Sequence, residues 1–175
     1  MIRSAKSHFL NLLILNVLTL VGLNFSCARV SEAMDFRYAG TGGNCAGCYW
    51  IVASGEITQD TPKEFKKFIS GDPQSFLVVL DSHGGHLFGG IELGRLIREF
   101  GLHTTIAKSR RPAECFMEGD CPSYLENFEA GTCLSACAYA YLGGAHRIVA
   151  NTKTFAGHSG SVIGFHQFYG DLDKQ

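Results

Sequence analysis

Residues 75–97, SFLVVLDSHGGHLFGGIELGRLI, constrain the fold more than any other part of the chain. Residues 76–80 form a continuous apolar, partly β-branched run closed by Asp81 and a glycine pair, which reads as a buried strand ending in a turn. Beyond it, Leu87, Ile91, Leu93, Leu96 and Ile97 fall near helical spacing. Gly84 and Gly85 are therefore expected in a strand-to-helix turn, where backbone N–H groups can be left free to bind an oxyanion. His83 and His86 have a spacing met in metal sites, but no carboxylate at clear ligand spacing accompanies them, so no metal is expected.

Similar units recur along the chain. Residues 61–70 read as a short amphipathic helix capped by Asp60 or Thr61, with Pro62 in its first turn and Phe65, Phe68 and Ile69 on one face. A short strand is expected at 103–107, a small-residue helix at 136–141 ending at Gly143 and Gly144, and a strand-like segment at 161–168. Alternation of this kind implies an α/β fold with a mostly parallel sheet. Residues 29–48, rich in Gly and Ala from 35 to 47, read as a linker or lead-in to a domain at 49–175. Between Arg110 and Gly131 lies a long excursion with turn and breaker residues, either a cover for a cleft or a disulfide-pinned surface loop.

The N-terminus has the three-part layout of a secretory signal: Arg3 and Lys6, an apolar segment at 9–25, then small residues allowing cleavage after Ala28 or Ala33. Residues 1–28 are thus a signal peptide or a membrane anchor, and Asn11, Asn16 and Asn24 weigh against anchoring. Export to the periplasm, free or anchored through 9–25, is the expectation. Losing the leader removes Cys27 and leaves Cys45, Cys48, Cys115, Cys121, Cys133 and Cys137, an even set suited to structural disulfides of open connectivity. With 46% hydrophobic residues the chain is globular in composition, and a net charge of −1 offers nothing to nucleic acid. Lys63, Lys66 and Lys67 read as a solvated helix face.

The reactive groups come from two further segments. GTCLSACAYAYLGG puts Ser135 at the start of the small-residue helix, a position that suits a nucleophile. VIGFHQF supplies His166, whose imidazole can take the hydroxyl proton near neutral pH. In this reading Gly84, Gly85 and Ala136 form the oxyanion hole. Rivals exist. Residues 157–161, GHSGS, nearly match the G-x-S-x-G elbow at Ser159, although a strand rather than a helix follows. His158 is a second candidate base, and both Ser135 and His166 could serve packing alone.

In order and spacing these segments resemble the Clp protease proteolytic subunit of the Clp protease/crotonase superfamily, and more closely its periplasmic relatives with Cys, Ser, Ala and Cys around the serine. Trp50 to Ile57 matches the family's first strand and turn. LeuAspSerHisGlyGly at 80–85 matches its oxyanion-hole strand, with His83 where proline is usual. The resemblance covers roughly residues 50–170 and implies a spiral of β-β-α units, a Ser135–His166 peptidase acting on peptides or proteins without a cofactor, and a homo-oligomer. The family's acidic third member lies well beyond the histidine. Asp171 and Asp173 are too close in sequence to fold back onto it, so the sequence reads as C-terminally truncated, or its histidine is oriented otherwise. A non-catalytic exported scaffold and a crotonase-like acyl-thioester enzyme are the alternatives.

Overall fold

The apolar run at 77–80 becomes the middle strand of a five-stranded sheet. In the computed structural model the elements are β1 (Asp35–Gly40), β2 (Tyr49–Ser54), α1 (Thr61–Ile69), β3 (Leu77–Asp81), α2 (Leu87–Glu99), β4 (His103–Ile106), β5 (Lys108–Arg110), β6 (Asn127–Glu129), β7 (Thr132–Leu134), α3 (Ala136–Leu142), β8 (Arg147–Ile148) and β9 (Val162–Gly164). The structure describes residues 32–43, 48–71, 75–112, 122, 124–148 and 160–165. The main sheet has the order β1-β2-β3-β4-β8; β1 is antiparallel to β2, and the other neighbours are parallel.

Both faces of this sheet are covered, which is why residues 77–80 show no polar alternation. Ile51, Ala53, Val78 and Leu80 face a core shared with Phe65, Leu93, Ile97 and Ala140 of the three helices. Trp50, Val52 and Val79 face the opposite way and pack with Ala107 and Phe128. Phe76 falls just outside the strand and is 67% exposed. Ser75 ends the run instead, its hydroxyl donating to the Tyr49 carbonyl and accepting from the Leu77 N–H.

A second row of parallel pairing runs beside the main sheet. Ile57 bridges to Gly85, Ser82 bridges to Cys133, and β7 pairs with β9. Each of β2, β3 and β4 is thus followed by a segment in this second row and then by a helix.

Two sequence expectations are corrected. Residues 35–40 are not part of a linker but strand β1, in register with β2 from Asp35↔Ser54 to Gly40↔Tyr49. Residues two apart share a face of a strand. Phe36 and Tyr38 accordingly pack on Phe65 and Phe68, with ring centroids 5.1 and 4.8 Å apart for Phe36–Phe65 and Tyr38–Phe68. Arg37 points to the other side and pairs with Glu126. The alternation Phe-Arg-Tyr is too short to stand out from its Gly- and Ala-rich surroundings.

The excursion after β4 is likewise not all loop. Its two ends pair as β5 and β6, from Lys108↔Glu129 to Arg110↔Asn127. A buried polar chain fastens them to the back of the sheet: Trp50 Nε1 donates to Ser109 Oγ at 2.8 Å, Ser109 Oγ donates to Glu126 Oε2, and Arg37 supplies the countercharge at Glu126 Oε1. Buried groups of this kind are tolerable because each has a partner. Residues 113–121 and 123 of the excursion, which was expected as a cover or a pinned loop, lie outside the described residues. So do the N-terminal segment at 9–25, Asp171 and Asp173. Among the described residues no helix is long and apolar enough to cross a membrane.

The contact between α2 and α3 positions the site. The buried face of α2 is Gly89, Gly90, Leu93, Gly94, Leu96 and Ile97, so glycine supplies half of its positions. A Cβ on Gly90 would lie 2.2 Å from the Ala136 carbonyl oxygen, and one on Gly94 would lie 2.8 Å from that of Tyr139. The helices therefore touch backbone to backbone. Alanine ordinarily stabilises a helix interior by about 1 kcal/mol over glycine, but here the clash with backbone prevails. Gly90→Ala is expected to lower stability by about 1–3 kcal/mol, read as a drop of several degrees in the thermal midpoint. Gly71→Ala, where nothing lies within 4 Å, is the control and should change little.

Candidate active site

Ser135 is the residue between β7 and α3, and its backbone has φ 54° and ψ −120°. Among the described residues it is the one non-glycine residue with positive φ. Such a conformation costs about 1–3 kcal/mol and persists only where the surroundings enforce it. A serine serving simply as a helix cap would have extended backbone and accept a hydrogen bond from the first turn. His86 does this for α2, with φ −68° and ψ 117°, its Nδ1 accepting the Gly89 N–H at 3.0 Å. Ser135 does neither: its side chain makes no cap bond to α3. It is buried at 8% exposure, and its hydroxyl makes no hydrogen bond among the described residues. With only seven residues in α3, backbone conformation is a stronger feature of this position than the helix dipole.

The glycine turn lies against this serine. Gly84 and Gly85 have φ of 103° and 132°. A Cβ on Gly84 would sit 2.6 Å from the Leu134 carbonyl oxygen and 2.8 Å from Ser135 Cβ. Hydrogen bonds clamp the turn from both sides. Ser82 N–H donates to Thr132 O, and Leu134 N–H to Ser82 O; Ile57 N–H donates to Gly84 O, and His86 N–H to Ile57 O. Gly84 N–H is itself used, donating to Ser82 Oγ at 3.1 Å. Among the described residues the N–H groups of Gly85 and Ala136 donate no hydrogen bond. Of the three groups expected for an oxyanion hole, two are thus available, and Gly84 serves instead to shape the turn.

The strand approaching His166 also reaches the serine. Ser135 N–H donates to the carbonyl of Gly164, the last residue of β9, at 2.8 Å. His166 itself lies outside the described residues, as do the rivals His158 and Ser159. So do Cys45, Cys115 and Cys121. Cys133 and Cys137 form a disulfide with each other, and Cys48 is also disulfide-bonded. On α3, burial pushes the Tyr141 phenol above its ordinary range, with Arg147 partly offsetting this.

A cleft of about 410 Å³ opens at the turn, lined by Gly84, Gly85, His83, Glu56, Asp81 and Lys108 among others. Ser135 is not one of its walls. Gly84 is the residue common to both, lining the cleft on one side and meeting Ser135 on the other. Sequence reasoning missed the charged rim of Glu56, Asp81 and Lys108; only Asp81, adjoining the glycine turn, carried a signal. Asp81 also fixes the start of β7, its Oδ1 accepting the Thr132 N–H at 2.9 Å.

His86 serves as the cap of α2. Removing the cap in His86→Ala is expected to cost about 1 kcal/mol, while His86→Asn, which keeps an acceptor, should retain most of the stability. Thermal midpoints measured with and without a chelator check this, because a metal role would make the wild type alone chelator-sensitive. Comparisons of the chain with protein-family models, curated proteins and solved structures find no match.

Proposed function

We propose that this chain is a serine hydrolase with Ser135 as nucleophile, acting on a peptide or other acyl substrate. The observation that carries the reading is the backbone of Ser135, φ 54° and ψ −120° at a strand-to-helix turn. Reactive serines on nucleophile elbows occupy sharp, strained turns of this kind. Support comes also from the N–H groups of Gly85 and Ala136, which donate no hydrogen bond among the described residues, and from Gly84, which lies against Ser135.

In the mechanism, Ser135 Oγ attacks the acyl carbonyl carbon while His166 accepts the hydroxyl proton. The oxygen that becomes negative is held by the N–H groups of Gly85 and Ala136, donors fixed before the reaction begins. Collapse of the tetrahedral intermediate expels the leaving group, which takes the proton from His166. Water then releases the acyl group by the reverse sequence of proton transfers. The Gly164 carbonyl bonded to Ser135 N–H, two residues before His166 in sequence, favours His166 as the base.

The same reading extends to the fold, a spiral of β-β-α units of the Clp protease/crotonase kind. The succession of main-sheet strand, second-row segment and helix after β2, β3 and β4 supports it. Export to an oxidising compartment is part of the proposal, supported by the disulfide-bonded Cys48, Cys133 and Cys137. Self-association into a homo-oligomer follows from the resemblance.

A fluorophosphonate probe tests the proposal. Intact-mass analysis of the folded protein is expected to show one adduct, absent in Ser135→Ala and formed at least about 100-fold more slowly in His166→Ala. Labelling that persists in Ser135→Ala, or none in folded wild type, contradicts it.

A further inference from the structure

Ser135 sits midway between two cysteines that are bonded to each other. The sequence reads Cys133-Leu134-Ser135-Ala136-Cys137, and the disulfide closes a small ring around the serine. In a G-x-S-x-G elbow the positions two before and two after the serine are glycines. Here those positions hold cysteines whose Cα atoms are 5.1 Å apart. A covalent bond spans the turn that glycines flank elsewhere.

We propose that Cys133 and Cys137 are positioning residues whose disulfide holds Ser135 in its positive-φ conformation. The consequence for reactivity rests on the reading of Ser135 as a nucleophile; the conformational claim does not. A strained backbone needs surroundings that over-determine it. Hydrogen bonds fix the flanks of the turn, through Leu134 N–H to Ser82 O, Ser135 N–H to Gly164 O and Ala138 N–H to Ser135 O. None of these joins residue 133 to residue 137. The disulfide does, linking β7 to the first turn of α3. Cys133 belongs to β7, paired with β9 and bridged to Ser82. Cys137 belongs to the first turn of α3, which is packed on Gly90.

A role in overall stability fits the bond less well. Cross-links stabilise chiefly by closing long loops in the unfolded chain, and this one closes a very short one. A reversible switch also fits less well, since both cysteines are fully buried at 0% exposure, away from reductants in solution. A permanent local brace is what remains.

The test exploits the freedom of glycine, which adopts positive φ without cost. Ser135→Gly is made in three forms of the protein: oxidised wild type, Cys133→Ser/Cys137→Ser and Cys133→Ala/Cys137→Ala, the last two leaving the disulfide of Cys48 in place. In the oxidised protein the glycine is expected to raise the thermal midpoint by about 2–4 °C. In the two forms without the disulfide, where Ser135 is free to relax, no rise is expected. An equal rise in all three overturns the proposal, because the rest of the fold would then impose the strain. Cys133→Ser/Cys137→Ser nearly keeps the side-chain volume, so it carries the comparison if the double alanine variant does not fold; failure of both to fold overturns the idea of a local brace. For proteins retaining Ser135, the fluorophosphonate bond-forming rate is expected to fall at least about 10-fold on loss of the disulfide, with affinity for the reagent unchanged. An unchanged rate overturns the positioning role. A wild type that never reacts overturns the hydrolase reading alone, leaving the glycine comparison to decide the brace.

Discussion

The backbone contact between α2 and α3 governs where everything else in the site can be. At Gly90 there is no room for even a methyl group before the Ala136 carbonyl. Gly143 repeats the arrangement at the other end, where a Cβ would fall 2.1 Å from the Gly94 carbonyl oxygen. Helices bearing ordinary side chains pack about 8–10 Å apart, so bulk at these positions would push α3 outward and carry Ser135 with it. The glycine turn before α2 and the serine turn before α3 would then separate. Their mutual contact at Gly84 and Ser135 is thus a product of helix packing as much as of local turn chemistry.

Hydrogen-bond accounting within the two turns is uneven in an informative way. Buried backbone donors are nearly always paired, and most of those around the glycine turn are, through Ile57, Ser82 and Thr132. The N–H groups of Gly85 and Ala136 donate nowhere among the described residues; Ala136 follows Ser135, and Gly85 follows the Gly84 that lies against it. Donors left open beside a constrained hydroxyl suit charge that appears during a reaction, because no reorganisation is needed when it develops. The contrast between the two helix starts makes the same point. His86 meets the geometric requirements of a cap, whereas Ser135, a better capping residue by type, meets none of them.

How much of this was legible in the sequence depended on the length scale of each signal. The strand at 77–81 and the helix from Leu87 were visible because apolar runs and periodicity register burial directly, and the α/β alternation followed. Strand β1 was hidden because two aromatic residues, Phe36 and Tyr38, define its face against a Gly-rich background. The pairing of β5 with β6 was hidden because Ser109, Glu126 and Trp50 are far apart in sequence and meet only through the fold. At the site, Ser135, Gly84, Gly85 and Ala136 were named from the sequence; Gly84 lies against Ser135 and Ala136 but spends its N–H on Ser82, and Gly85 lies against Ile57 and Glu56. What no residue pattern could reveal is the backbone of Ser135, since φ at one position is set by β7, α3 and the disulfide across it. His166 lies outside the described residues.

A crystal structure of the protein after reaction with a phosphonate would test the central claim most directly. The account expects phosphorus bonded to Ser135 Oγ and a phosphonyl oxygen about 2.7–3.1 Å from the N–H nitrogens of both Gly85 and Ala136, with Ser135 still at positive φ. An adduct on another residue, or one on Ser135 whose oxygens turn away from both nitrogens, would contradict it.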